Sequence, residues 1–495
     1  MAGSIVGISL QSKATSGILW SAAERFGQLG VSFLVQIVLA RLLAPEQFGL
    51  IAMVAVFVAL CQGIADAGFH EAIIQRKELD DTLISTVFYT NLLLAAGLTL
   101  VLWVGAPLVA AFYDQPDLTL LLQVLSIGLL IDGFSRIQLT LLQRRLLFRE
   151  LATATLAASL FSGGIAVALA FLGYGVWALI AQILIARSLV AIVLWLQSDW
   201  RPSISYSFVR LREILPFASR MFASNILNSV FQQIYVLFIG RVGSVVDLGY
   251  YQRANSFQNL ASGASNTLMA RITFPLFAQV QDDPVRLRRG FIKSCQLLSF
   301  TFFPIMALLA AVSEPLIVTL IGEKWLPAVP YLQLLCFTGA LHPVHAINLS
   351  LIKALGHAGL FLRLEVIKKS VIAIMLLITY RHGVYAIVLG QMFCNFFALG
   401  VNTFYTRKLI NISYAQQFHI FSGAVAVSLV LSYLTSVWFL PSMMLSPPQE
   451  LGFGVLVSGG IWLIMIVMWR SAFTEELKWF SAQIARVPLV GSKFL

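Results

Sequence analysis

The chain has 495 residues, of which 59% are hydrophobic and 11% charged, with a formal net charge of +11. A mean hydropathy of +0.86 excludes a soluble globular domain, and long apolar runs broken by short charged loops predict an all-α, polytopic membrane protein. A transmembrane barrel would alternate in segments of about ten residues, a pattern that is absent. The positive charge sits in short loops, so no nucleic-acid partner is expected.

Fourteen spans are expected, at about 17–40, 48–69, 83–108, 118–141, 151–172, 175–197, 214–240, 248–273, 293–312, 327–352, 363–380, 384–404, 418–440 and 449–469. The N-terminal MAGSIVGISLQSKATSG has no small-residue cleavage pattern, so the first span is expected to stay as an anchor. On that span Ser21, Arg25, Gln28, Ser32 and Gln36 recur at steps of four, three, four and four, and fall on one helix face with Glu24 at its edge. An arginine near mid-bilayer costs roughly 3 kcal/mol or more unless it meets water or a partner, so this face is expected to line a polar cavity. Glu24 is adjacent to Arg25 on the helix and does not face it, which leaves Arg25 as a cavity residue.

The first span also opens a repeat. Arg41-x7-Gly49 is answered by Arg241-x7-Gly249, Asp80-Asp81 by Asp282-Asp283, and GVWAL at Gly175 by GVYAI at Gly383. Three matches in register predict two related six-span lobes, 1–200 and 201–412, in parallel orientation. Spans 13 and 14, 413–470, follow the repeat, and the tail, 471–495, carries an apolar and basic stretch at 474–486 that reads as an interfacial helix or as plain tail.

Charge orients the spans. Of 33 Lys+Arg, 23 fall on the side that holds both termini, 4 on the other side and 6 within spans. That bias predicts cytoplasmic termini.

Further polar residues gather on later spans. Span 7 carries Arg220, Ser224, Asn228 and Gln232 at steps of four, joined by Asn225, and span 8 carries Arg253 among Asn, Gln and Ser. The expected substrate contacts are Arg25, Gln28, Gln36, Arg220, Asn225, Asn228, Gln232 and Arg253, and the carboxylates open to ion coupling are Glu24, Asp66 and Asp132. Asp132 and Arg136, four apart on span 4, read first as a structural ion pair. Arg187 and Arg271, near span ends, read as snorkelling anchors. His342 and His345 lack a third ligand and read as helix packing rather than a metal site. The four cysteines lie in apolar segments without CxxC spacing and read as buried hydrophobes. No phosphate loop, nucleophile elbow or zinc-protease motif occurs, and the longest outer loop, about 313–327, is short. Neither an enzyme nor a cofactor is expected.

The strings ARLLAPEQFGLIAMVAVF, DAGFHEAIIQR, QRRLLFRELA, GYYQRANSFQNL, FPLFAQVQDDPVRLRRGF and GEKWLPAVPYLQLL resemble the polysaccharide transporter family. These are the Wzx-type flippases of the multidrug/oligosaccharidyl-lipid/polysaccharide superfamily. The likeness covers about 15–410 and is strongest to the exopolysaccharide branch that exports colanic acid, succinoglycan and teichuronic acid. It implies an undecaprenyl-diphosphate-linked oligosaccharide as substrate, flipped from the cytoplasmic to the periplasmic leaflet, with membrane lipids, a polysaccharide polymerase and a co-polymerase as partners. It also implies a cleft lined by spans 1, 2, 7 and 8. In the related lipid II flippase, arginines on spans 1, 2 and 8 serve the cavity. Arg25 and Arg253 stand on matching spans, whereas span 2 has no internal arginine. The alternative function is an ion-coupled small-molecule exporter of the same fold, and the cationic stripe favours the anionic lipid-linked sugar.

Overall fold

The computed structural model describes residues 27–65, 68–76, 79–145, 147–433 and 446–468. Among these residues the architecture is helical, without strands. The sequence expectations on Arg25, Glu24, Asp66 and the tail at 474–486 lie outside the described residues.

The first compact unit runs from Met1 to Gly249. It contains α1 (Gly27–Leu42), α2 (Pro45–Ala65), α3 (Phe69–Gln75), α4 (Asp81–Tyr113), α5 (Leu118–Arg144), α6 (Phe148–Phe171), α7 (Val176–Gln197), α8 (Phe208–Val242) and the start of α9 (Val245–Gln279). Here α4 packs on α5, α6 on α7, and α2 on α5 and α8. A core of Phe69, Ile73, Leu83, Val87, Phe88, Ile137 and Ile214 ties α3, α4, α5 and α8 together at one end.

The second unit runs from Tyr250 to Leu495. It holds most of α9, then α10 (Pro284–Ala311), α11 (Ser313–Ile321), a 3₁₀ turn (Glu323–Ala328), α12 (Val329–Ala354), α13 (Ala358–Thr379), α14 (Val384–Ile410), α15 (Tyr414–Tyr433) and α16 (Pro447–Met468). Its main core joins Phe277, Phe291, Cys295, Leu298, Ile347, Leu351 and Ile412. Both α15 and α16 pack on α10.

Eight of the described helices are long and apolar enough to cross a membrane, and two shorter apolar helices accompany them. Their surfaces agree with a lipid solvent. On α4, Leu93, Leu100, Val101, Val104 and Leu108 all point outward, whereas in water such a row would be an aggregation patch. The chain is therefore a multi-pass membrane protein.

The repeated motifs fall at equivalent places. Arg41 and Arg241 each stand one residue before the end of a helix, α1 and α8. Gly49 and Gly249 are each the fifth residue of the next helix, α2 and α9. Gly175 and Gly383 both cap a following helix with positive φ, +58° and +86°, a conformation open to glycine at little cost. The acidic pairs match less closely, since the N-cap of α4 is Asp80, the first of its pair, and that of α10 is Asp283, the second of its pair; Asp283 accepts from the Val285 and Arg286 amides at 3.1 and 3.0 Å.

The glycines also meet. A Cβ added to Gly49 would lie 1.8 Å from the carbonyl oxygen of Val245, and one on Gly249 would lie 2.1 Å from the carbonyl oxygen of Pro45. The first turns of α2 and α9 thus touch backbone to backbone, with no room for a side chain in either direction.

Candidate functional site

In the first unit, polar residues from three helices enclose a chamber of about 200 Å³ lined by Gln62, Asn91, Asp132, Gly133 and Arg136. The Asp132 carboxylate accepts from Gln62 Nε2 at 2.9 Å and from Arg187 Nη1 at 2.9 Å. Asp132 therefore pairs across helices with Arg187, and Arg136 lines the chamber beside it. This corrects the reading of Arg187 as a snorkelling anchor. Its guanidinium turns inward because Gly128, one turn before Asp132, leaves the space: a Cβ there would lie 2.7 Å from Arg187 Nη1. Asn91 is buried, and its Oδ1 has no hydrogen-bond partner among the described residues. An amide oxygen held that way offers an acceptor to a water or other small donor in the chamber.

On α1, Gln28 and Gln36 are half-buried, and Gln36 Nε2 lies 3.5 Å from Gln182 Oε1 on α7. On α8, Gln232 is exposed. Arg220, Asn225 and Asn228 belong to the same helix, but their side chains lie outside the described set. Further along, Gly63 lets α2 approach α8, since an added Cβ would lie 2.7 Å from Ser229 Oγ.

In the second unit, Arg253 is buried, with 7% of its surface exposed. One turn later on α9, the buried Gln258 donates to Ser262 Oγ at 2.9 Å. Its amide fits against α12 only because Gly339 lacks a side chain: a Cβ there would lie 2.4 Å from Gln258 Nε2. Two further contacts link α12 to α14: Asn402 Nδ2 lies 3.2 Å from His345 Nδ1, and Thr406 Oγ1 donates to Asn348 Oδ1 at 2.6 Å. His345 is thus engaged in helix packing. All four cysteines are buried and unpaired with one another.

The residues foreseen from sequence are thus distributed over both units. Gln28, Gln36, Gln232 and Asp132 belong to the first, and Arg253 to the second. Gln62, Asn91 and Arg187 were not foreseen as site residues. None of them belongs to a polar stripe along its own helix, and periodicity along one helix cannot see a partner on another.

A family model described as polysaccharide biosynthesis protein matches residues 38–330. The succinoglycan biosynthesis transport protein ExoT of Rhizobium meliloti is 29% identical over 330 residues, covering 66% of this chain and 67% of that protein. The teichuronic acid biosynthesis protein TuaB of Bacillus subtilis is 28% identical over 301 residues, or 60% of this chain and 62% of the relative. The lipopolysaccharide biosynthesis protein WzxC of Escherichia coli is 28% identical over 346 residues, 68% and 69% of the two chains. Among solved structures, the lipid II flippase MurJ in an inward closed conformation aligns over 92% of this chain and 99% of its own, with TM-score 0.74 and 14% identity. An inward-facing multidrug MATE transporter aligns over 79% and 95%, with TM-score 0.55 and 16% identity. These likenesses establish the fold. With the model match over more than half its length, the chain belongs to the polysaccharide biosynthesis protein family.

Proposed function

We propose that this transporter flips an undecaprenyl-diphosphate-linked oligosaccharide repeat unit from the cytoplasmic to the periplasmic leaflet of the bacterial inner membrane. Both termini are then cytoplasmic, fourteen spans cross the bilayer, and two six-span lobes, 1–200 and 201–412, alternate access. The observation that carries the reading is the concentration of cationic and amide residues on α1, α8 and α9 of a family member in polysaccharide biosynthesis. A diphosphate favours arginine forks, and sugar hydroxyls favour Asn, Gln and Ser. Arg25 and Arg253 are assigned to the diphosphate, and Gln28, Gln36, Arg220, Asn225, Asn228 and Gln232 to the remaining polar headgroup. Among the candidates for ion coupling, Glu24, Asp66 and Asp132, the last has the described chamber around it.

The test is complementation of a strain lacking the transporter. Losing one charge-assisted contact weakens an interaction about 10- to 150-fold, so Arg25→Ala and Arg253→Ala should each block polymer export at near-normal protein level. Arg→Lys should rescue in part, since it retains charge without the planar fork. Wild-type export by both alanine variants at limiting protein would remove the site assignment. Loss of resistance to cationic drugs with unaltered export would instead favour the small-molecule exporter.

A further inference from the structure

An apolar groove of about 660 Å³ lies on the first unit. Leu92 of α4, Ile131 and Phe134 of α5, and Ala191, Ile192 and Leu196 of α7 form its walls. It follows α7 from Ser188 to Leu196, about 12 Å at 1.5 Å per residue. Ile192 and Leu196 stand largely exposed along it.

One end is rigid and aromatic. Trp195 stacks on Phe134 with centroids 4.4 Å apart and an interplanar angle of 15°, and its indole donates to the Phe134 carbonyl at 3.0 Å. Arg201 closes this end, its guanidinium 5.5 Å from the Trp195 ring centroid. A single nitrogen, Nη1, donates to the carbonyls of Ser198 and Trp200. Nε and Nη2 make no hydrogen bond to the described residues. A guanidinium has five donors in a fixed fork, so a preoriented edge remains for an oxyanion. The nearest acid in sequence, Asp199, is held by Arg145 at 3.5 Å and leaves the charge of Arg201 available.

We propose that this groove binds an anionic phospholipid, with one acyl chain along α7 and its phosphate on Nε and Nη2 of Arg201. Charge complementarity selects the occupant. A phosphodiester has one negative charge and matches one arginine, whereas a diphosphate-linked carrier would need a second cation at the mouth. The combination of tryptophan and arginine at the end of an apolar wall suits the headgroup boundary of a bilayer.

The test is native mass spectrometry of the full-length protein in mild detergent, titrated with phosphatidylglycerol, with phosphatidylethanolamine of the same chains, and with undecaprenyl phosphate. Phosphatidylglycerol should be retained at about tenfold lower concentration than phosphatidylethanolamine. Arg201→Ala should abolish that preference. Ile192→Trp, at an exposed position, should reduce retention of both phospholipids by filling the groove. Equal retention of the two phospholipids by the wild type, or an unchanged preference in a folded Arg201→Ala protein, overturns the proposal. So does undecaprenyl phosphate displacing phosphatidylglycerol at the lower concentration, which would make the carrier the occupant.

Discussion

Arg187 shows how a charge is tolerated inside this protein. Its side chain is 21% exposed, and it reaches Asp132 through the gap that Gly128 leaves. Removing one partner forfeits a charge-assisted hydrogen bond, worth about 1.5–3 kcal/mol, and strands the other charge. Arg187→Ala should therefore lower the thermal midpoint of the purified protein. Arg187→Asp combined with Asp132→Arg should recover part of the loss of the single reversals. Strictly additive single and double effects would show that the two side chains are not coupled. This part of the site was illegible in the sequence for a physical reason. Spacing along a helix points from Asp132 to Arg136 and cannot show the guanidinium on α7 that also reaches the carboxylate, and only the packing reveals the space above Gly128. By contrast, the polar character of α9 was legible, since Asn, Gln and Ser flank Arg253 along the chain.

At the scale of elements, the crossing of α2 and α9 is the tightest constraint described. A Cβ on Gly49 would approach the Val245 carbonyl to 1.8 Å, where nonbonded atoms prefer about 3.5–4 Å. The helices would have to separate by roughly 1.5 Å or more. Gly49→Ala and Gly249→Ala are expected to cost about 1–3 kcal/mol each, in the range of overpacked interiors. Gly97→Ala, which meets nothing within 4 Å, should be neutral or slightly stabilising. Thermal unfolding of the three variants checks the order, and an equal midpoint for Gly49→Ala and Gly97→Ala would refute it. The helices themselves were legible: apolar runs, the Pro45 and Pro284 starts and the glycine turns mark their limits from local chemistry. The spacing of Arg41 and Gly49 also revealed that the motif repeats, but not that the two copies touch.

For the molecule as a whole, orientation is the property that charge counting decides, and the buried cysteines make it convenient to test. A single introduced thiol should be the main one available to a membrane-impermeant maleimide. Glu323→Cys, at an exposed position in the turn before α12, should label in intact cells. Val285→Cys, where the native side chain is 69% exposed, should label only after permeabilisation. The opposite pattern would reverse the proposed topology. The meeting of the glycines has a consequence for sequence drift. The fifth residue of α2 lies on the first residue of α9, and the fifth of α9 lies on the first of α2. Each glycine thus fixes the start of the other's helix, so a bulkier residue at either one displaces both helix starts together and cannot be relieved by a change at its partner, which is already as small as a residue can be.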